Sequence, residues 1–280
     1  MCPPDYFGIE YEINPWMRLD KQADQVLARG QWQELHQLLT QGLGAKVDLL
    51  APVRGLPDLV FTANAGYVEG DLFISSSFKY KERQGEKPIF DAWFKARGYR
   101  VCKLGPDCVF EGAGDALPLG ETVFAGYRHR SEICSHQELG AIIGRRVLSL
   151  ELADPLFYHL DTCFCPLDES TALYFPGAFD KYANQALQAN VPVLLAVSEA
   201  SARRFACNAV VVGGTVVTNT GCDDLQETLA EQGFSLRMVE LSEFLKSGGS
   251  AKCLTLRLNG RQPKFLEDGD GGRCGSGKDR

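Results

Sequence analysis

Apolar and polar positions alternate along this chain in two rhythms. Over residues 25–39, Val26, Leu27, Leu35, Leu38 and Leu39 recur at roughly helical spacing with polar residues between, which predicts an amphipathic helix. Residues 91–98 (DAWFKARG) read as a shorter helix closed by its glycine, and weaker helical periods cover 135–144, 179–190, 198–204 and 222–233. Short apolar runs suited to buried strands follow them: YRVCKL, RRVLSLEL, VPVLLAV, AVVVGGTVV and SLRMVEL. Helix and strand therefore alternate, and the predicted class is α/β.

The second rhythm is a repeated hairpin. Four segments run as a polar residue, an apolar strand, a tight turn and a second apolar strand: NAGYVEGDLFISS from Asn64, GDALPLGETVFAGY from Gly114, LDTCFCPLDESTALYF from Leu160 and NAVVVGGTVVTN from Asn208. A fifth, CLTLRL from Cys253, supplies one strand whose expected partner is the N-terminal segment. With Asn64, Asp115, Asp161, Asn208 and Cys253 as anchors, the intervals are 51, 46, 47 and 45 residues. A near-constant period with a helix between hairpins predicts a closed or stacked repeat. In a radial arrangement strand starts converge near the axis, so anchors far apart in sequence would build one site. No linker-like stretch interrupts the repeats, which predicts a single domain over residues 1–260. Residues 261–280, rich in glycine and charge, read as a disordered tail.

Composition removes several classes of function. The chain has 280 residues, 45% hydrophobic and 23% charged, which describes a folded globular protein. Its longest apolar runs fall far short of the roughly 18–20 residues of a membrane helix, so no membrane partner is expected. The opening residues MCPPDYFGIEYEI carry acids where an export signal has a basic start, which points to the cytoplasm. The net charge of −7, without a basic block, argues against nucleic acid. Small molecules are the expected partners, and self-association as a homo-oligomer stays open. Ten cysteines without a CxxC are read as reduced thiols, and with four histidines no metal site is expected.

Candidate chemistry gathers at the anchors. Cys253, in SGGSAKCLTL, is delivered by a glycine-rich turn that keeps bulk away from its sulfur, which suits a nucleophile, although a buried cysteine before a strand is the commoner case. His159 stands just ahead of Asp161 in FYHLDTCF. A histidine beside a thiol can act as general acid and base, with a carboxylate holding its tautomer. Glu111 and Asp115 bracket FEGAGD with only small residues between, leaving room for a cationic ligand end. Asn64, in FTANAG, offers an amide that both donates and accepts. Arg83 and Arg130 could each grip a carboxylate, and Arg128 and His129 beside Arg130 leave that position open by a residue or two.

FTANAG, FEGAGDAL, HLDTCF and GGSAKCLTL, in that order and spacing, resemble the guanidino-group-modifying superfamily of arginine deiminases, dimethylarginine dimethylaminohydrolases and amidinotransferases. The resemblance covers residues 1 to about 258 and is nearest to the arginine dihydrolase domain of certain cyanobacterial proteins. It implies a five-bladed α/β propeller of ββαβ units, the pentein fold. It further implies hydrolysis of L-arginine without cofactor to ornithine, carbon dioxide and ammonia. Cys253 would be the nucleophile, His159 the general acid/base and Glu111 the carboxylate on the guanidinium. Asp115 and Asp161 would share that pocket, while Arg83, Arg130 and Asn14 would hold the substrate's carboxylate. The deiminases carry aspartate where this chain has Asn64. Deimination to citrulline, dimethylarginine hydrolysis and a catalytically silent binding propeller remain the alternatives.

Overall fold

The computed structural model describes residues 1–258. The expected tail at 261–280 lies outside the described residues. Among the described residues, twelve strands form four three-stranded sheets of identical plan. The first sheet contains β1 (Gly66–Glu69), β2 (Leu72–Ser75) and β3 (Arg100–Lys103); the second contains β4 (Ala116–Leu119), β5 (Thr122–Tyr127) and β6 (Arg146–Glu151). In the third are β7 (Phe164–Pro166), β8 (Thr171–Tyr174) and β9 (Val193–Ala196). The fourth is built from β10 (Val210–Val212), β11 (Thr215–Asn219) and β12 (Ser235–Val239). In each, the first two strands are an antiparallel hairpin and the third adds parallel to the second. A parallel neighbour requires a crossover, and a helix supplies it every time.

The helices are α1 (Gln25–Gln37), α2 (Lys81–Gln84), α3 (Glu86–Ala96), α4 (Ile133–Ile143), α5 (Lys181–Asn190), α6 (Glu199–Arg203), α7 (Leu225–Glu231) and α8 (Ser242–Leu245). None of the described helices is long and apolar enough to cross a membrane. Local chemistry explains their limits. Asp24 caps α1 by accepting from the Val26 and Leu27 amides at 2.9 Å, and Asp180 caps α5 through the Ala183 amide at 2.7 Å. Gly213 and Gly214, both at positive φ, form the two-residue turn between β10 and β11.

Two expectations require correction. The buried face of α1 is Ala28, Gln31, Trp32 and Leu35, while Val26 is 84% exposed. Residues 23–27 enter the helix at the surface, so apolar character there does not mark the face that packs. The strand expected at CLTLRL does not form among the described residues. Cys253 lies in a turn over residues 251–254, with the Leu254 amide donating to the Ser250 carbonyl at 3.2 Å. That turn packs with Phe7, Trp32, Leu35, Phe61 and Phe244 in one apolar cluster joining both ends of the described chain. A larger cluster, with Phe124, Phe164, Leu173, Val216 and Leu229, fuses the second, third and fourth sheets.

The cysteines also differ from expectation. Cys108 and Cys134 form a disulfide with Cα atoms 5.9 Å apart, while Cys2, Cys163, Cys165, Cys207, Cys222 and Cys253 are free and buried. The bridged pair is separated by 26 residues, with the β4–β5 hairpin between them.

Candidate active site

Each of the first three sheets is entered through a single 3-10 turn: Thr62–Ala65 before β1, Gly112–Gly114 before β4 and Leu160–Thr162 before β7. These turns pack on one another. They carry Asn64, the Glu111–Asp115 pair and the His159–Asp161 pair, and the loop before β10 carries Asn208. All six are buried, and so is Cys253 at 2% exposure. The close approach depends on Gly114, where a Cβ would collide with Asn64 Nδ2.

Glu111 is the centre of the charge arrangement. Its Oε2 accepts from Arg130 Nη1 at 2.9 Å and from His159 Nε2 at 2.7 Å, and its Oε1 from the Lys79 amide at 3.2 Å. Burial alone would raise this carboxyl, but Arg130, the His159 hydrogen bond and Arg83 overcome it and hold Glu111 well below the carboxylate range. The ionised carboxylate only accepts, so Nε2 of His159 carries the proton.

Asp161 behaves oppositely. Among the described residues no cation lies within salt-bridge distance of it, and its contacts include Cys253 Sγ at 3.6 and 3.8 Å. Burial pushes its carboxyl up to about 6, against the pull of Lys252 and His159. Burial, then Asp161, also pushes the Cys253 thiol above its ordinary range. The free site therefore holds a neutral thiol beside a carboxyl that ionises near neutrality.

The remaining expected residues divide sharply. Arg130 is buried between the rings of Tyr80 and Tyr158, at 4.8 and 4.7 Å, and donates through Nη2 to the Ile13 carbonyl at 3.0 Å. Arg128 pairs with Glu151 at 2.7 Å and is half exposed, whereas Arg130 is buried. A cavity beside Arg130 is lined by Asn14, Lys79, Tyr80, Arg128, His129 and Tyr158. Asn14 Nδ2 donates to the Ser247 carbonyl at 3.0 Å, so the loop carrying it straps across to the segment before Cys253.

Arg83, expected on a substrate carboxylate, does not line this cavity. Its fork is closed on Glu86 at 2.7 and 2.8 Å, and Nη1 donates to Asn64 Oδ1 at 2.9 Å. Glu86 lies three residues on, and a buried guanidinium takes the nearest planar partner. Asn64 Nδ2 in turn donates to the Glu111 carbonyl at 3.2 Å. Asp115, expected as an open carboxylate, is occupied by the Ser131 hydroxyl at 2.6 Å, the Ser131 amide at 3.2 Å and the Leu160 amide at 3.0 Å. It holds the backbone beside His159. Ser131 and Glu86 carried no motif to reveal them. Asn208, whose Nδ2 lies 3.1 Å from Cys253 Sγ, was visible only as an evenly spaced anchor.

A buried cysteine, set against a histidine locked to a carboxylate and further carboxyls on the strand-entry turns of repeated ββαβ units, defines the guanidino-group-modifying, or pentein, superfamily. Within it the chain belongs to the N,N dimethylarginine dimethylhydrolase family, whose eukaryotic-type model matches residues 3–259. It is 49% identical over 263 residues to the bifunctional arginine dihydrolase/ornithine cyclodeaminase AgrE of Nostoc sp., covering 92% of this chain and 37% of that protein. The chain thus spans little more than a third of that relative. It is 42% identical to the N(G),N(G)-dimethylarginine dimethylaminohydrolase of Mycobacterium tuberculosis, covering 92% of this chain and 85% of the relative. Among solved structures, the substrate-bound N-terminal domain of ArgZ, a cyanobacterial arginine dihydrolase, aligns with a TM-score of 0.88 at 47% identity, covering 92% and 96% of the two chains. A variant of that domain was solved covalently bound to a reaction intermediate, with a TM-score of 0.88.

Proposed function

We propose that this chain is an arginine dihydrolase domain that converts L-arginine and two waters to ornithine, carbon dioxide and two ammonia through a covalent intermediate on Cys253. One observation carries the reading: a neutral amide, Asn64, is built into the carboxylate-rich site and fixed by Arg83. The relatives AgrE and ArgZ support it.

The guanidinium enters between Glu111 and Asp161, whose charges localise its own. Its positive charge offsets the carboxylate field and lets the Cys253 thiol ionise beside it. The thiolate sulfur bonds to the guanidine carbon, and the C–N bond to a terminal nitrogen breaks as His159 protonates the departing ammonia. Water, deprotonated by His159, attacks the same carbon, and the sulfur leaves with the ureido group complete. A second round expels the second ammonia and leaves an N-carboxylate that loses carbon dioxide. Retaining the neutral ureido group requires a side chain that both donates and accepts, which Asn64 is and aspartate is not. Arg130, with Asn14 at the edge of its cavity, takes the substrate's carboxylate, and Arg83 acts through Asn64.

We also read residues 1–258 as one propeller domain. Its fifth unit would be α1, the segments flanking it and the Cys253 turn, completing five blades. The cytoplasm is the expected location.

Incubation with L-arginine, without metal or cofactor, tests the function. Ornithine with two ammonia per arginine, abolished in Cys253→Ser, is expected. Citrulline with one ammonia would contradict it, and turnover only of methylated arginines would transfer the reading to dimethylarginine hydrolysis. In Asn64→Asp citrulline should become the main product; unchanged ornithine formation there would refute the role of the amide.

A further inference from the structure

Asn208 is an evenly spaced anchor to which the proposed reaction gives no task. Its side chain is completely buried. Two backbone N–H groups, from Ser250 at 3.0 Å and Cys253 at 3.1 Å, converge on its Oδ1. Two donors meeting at one end of an amide identify that end as the oxygen and fix the orientation. The other end is NH2, and its two N–H bonds go to the Asp161 carbonyl at 3.0 Å and to Cys253 Sγ at 3.1 Å. A flipped amide would set oxygen against both a carbonyl oxygen and the sulfur, and would face two N–H donors with N–H.

A thiol sulfur is a weak acceptor and a thiolate a strong one, so this N–H bond tightens as Cys253 ionises. The titratable groups around the sulfur are Asp161, Lys252 and Tyr158. Asp161 opposes the thiolate and Lys252 favours it. Lys252 is half-buried, whereas the Asn208 donor is rigid and completely buried.

We infer that Asn208 is a catalytic residue: a fixed hydrogen-bond donor that stabilises the Cys253 thiolate and aims its sulfur by tying the Cys253 turn to the Asp161 turn. The inference rests on Cys253 being the nucleophile and adds the group that supports its charge. Its substrate-independent signature is thiol reactivity.

The test is the rate of iodoacetamide alkylation of the Cys253-bearing peptide, read by mass spectrometry across pH, in wild type, Asn208→Ala and Asn208→Asp. Aspartate keeps an oxygen for the Ser250 and Cys253 amides, so a merely structural role survives in it, while the donor is lost. Both variants should alkylate about tenfold to a hundredfold more slowly at pH 8, the scale of one hydrogen bond to a charged group. Their pH midpoints should rise by about one to two units, and arginine turnover should fall in parallel. A wild-type alkylation profile in Asn208→Asp overturns the proposal. If wild type lacks arginine turnover but the alkylation shift is present, the substrate assignment fails and the role of Asn208 is supported. Should neither variant keep a thermal transition, the Asn208 amide protons are followed by NMR in wild type and Cys253→Ala. One of them must shift on loss of the sulfur, and an unmoved pair overturns the proposal.

Discussion

Asp161→Asn should stabilise this protein although it removes a residue at the heart of the site. The carboxyl is completely buried, has no cation in contact among the described residues and is raised from 3.8 to about 6, burial being the main cause. A group whose folded value lies above its unfolded value contributes stability below the unfolded value and loses it as pH rises to the folded one. Wild type should therefore lose stability between about pH 4 and pH 6, by roughly two pKa units or about 3 kcal/mol. Asparagine does not ionise and has nearly the same shape, so the variant escapes that loss. At about 2–4 °C per kcal/mol for a chain of this size, its melting temperature at pH 8 should exceed wild type by about 6–12 °C. The gain should shrink to roughly half at pH 5 and vanish below pH 4. Thermal melting by circular dichroism at pH 8, 5 and 3.5 reads this directly. An Asp161→Asn variant no more stable than wild type at pH 8, or a gain that ignores pH, would refute the electrostatic account.

Glu111→Gln should do the reverse. It leaves Arg130 buried without its ion pair, at a loss of about 3 kcal/mol or more in melting experiments, together with loss of arginine turnover; a neutral effect on stability would contradict the pairing. Arg130→Ala should raise KM for arginine at least about tenfold by removing a buried charged hydrogen-bond partner, whereas Arg128→Ala, on the rim of the same cavity and half exposed on Glu151, should raise it far less. Equal effects would mean that the cavity beside Arg130 is not the carboxylate site. Gly114→Ala should abolish turnover by displacing Asn64, and a fully active variant would show that the amide need not sit where it does.

Much of this architecture was legible because chemistry and geometry repeat together. A polar anchor before each hairpin recurs at 46 to 51 residues, and the turns that hold Asn64, Glu111, Asp115, His159 and Asp161 pack on one another as that spacing implies. What each anchor faces was not legible. The sequence does not reveal that Arg83 and Asp115 are held by protein groups, because their partners, Glu86 and Ser131, look like ordinary surface residues in one dimension. Asn208 had no visible role because its sulfur contact exists only where the Cys253 turn curls back onto it. That same curl removes the strand expected at CLTLRL, since the Ser250 and Cys253 amides are spent on a side chain rather than a ladder. Apolar periodicity also misled at the start of α1, where Val26 and Leu27 lie outside the packed face.

The central claim is that Cys253 carries the reaction covalently. Acid quenching during arginine turnover, followed by mass analysis of the cysteine-bearing peptides, tests it most directly. The account predicts an adduct on the Cys253 peptide that retains the guanidine carbon of arginine, forms within one turnover and is absent from Cys253→Ser. Turnover without that adduct, or an adduct on another cysteine, would contradict it.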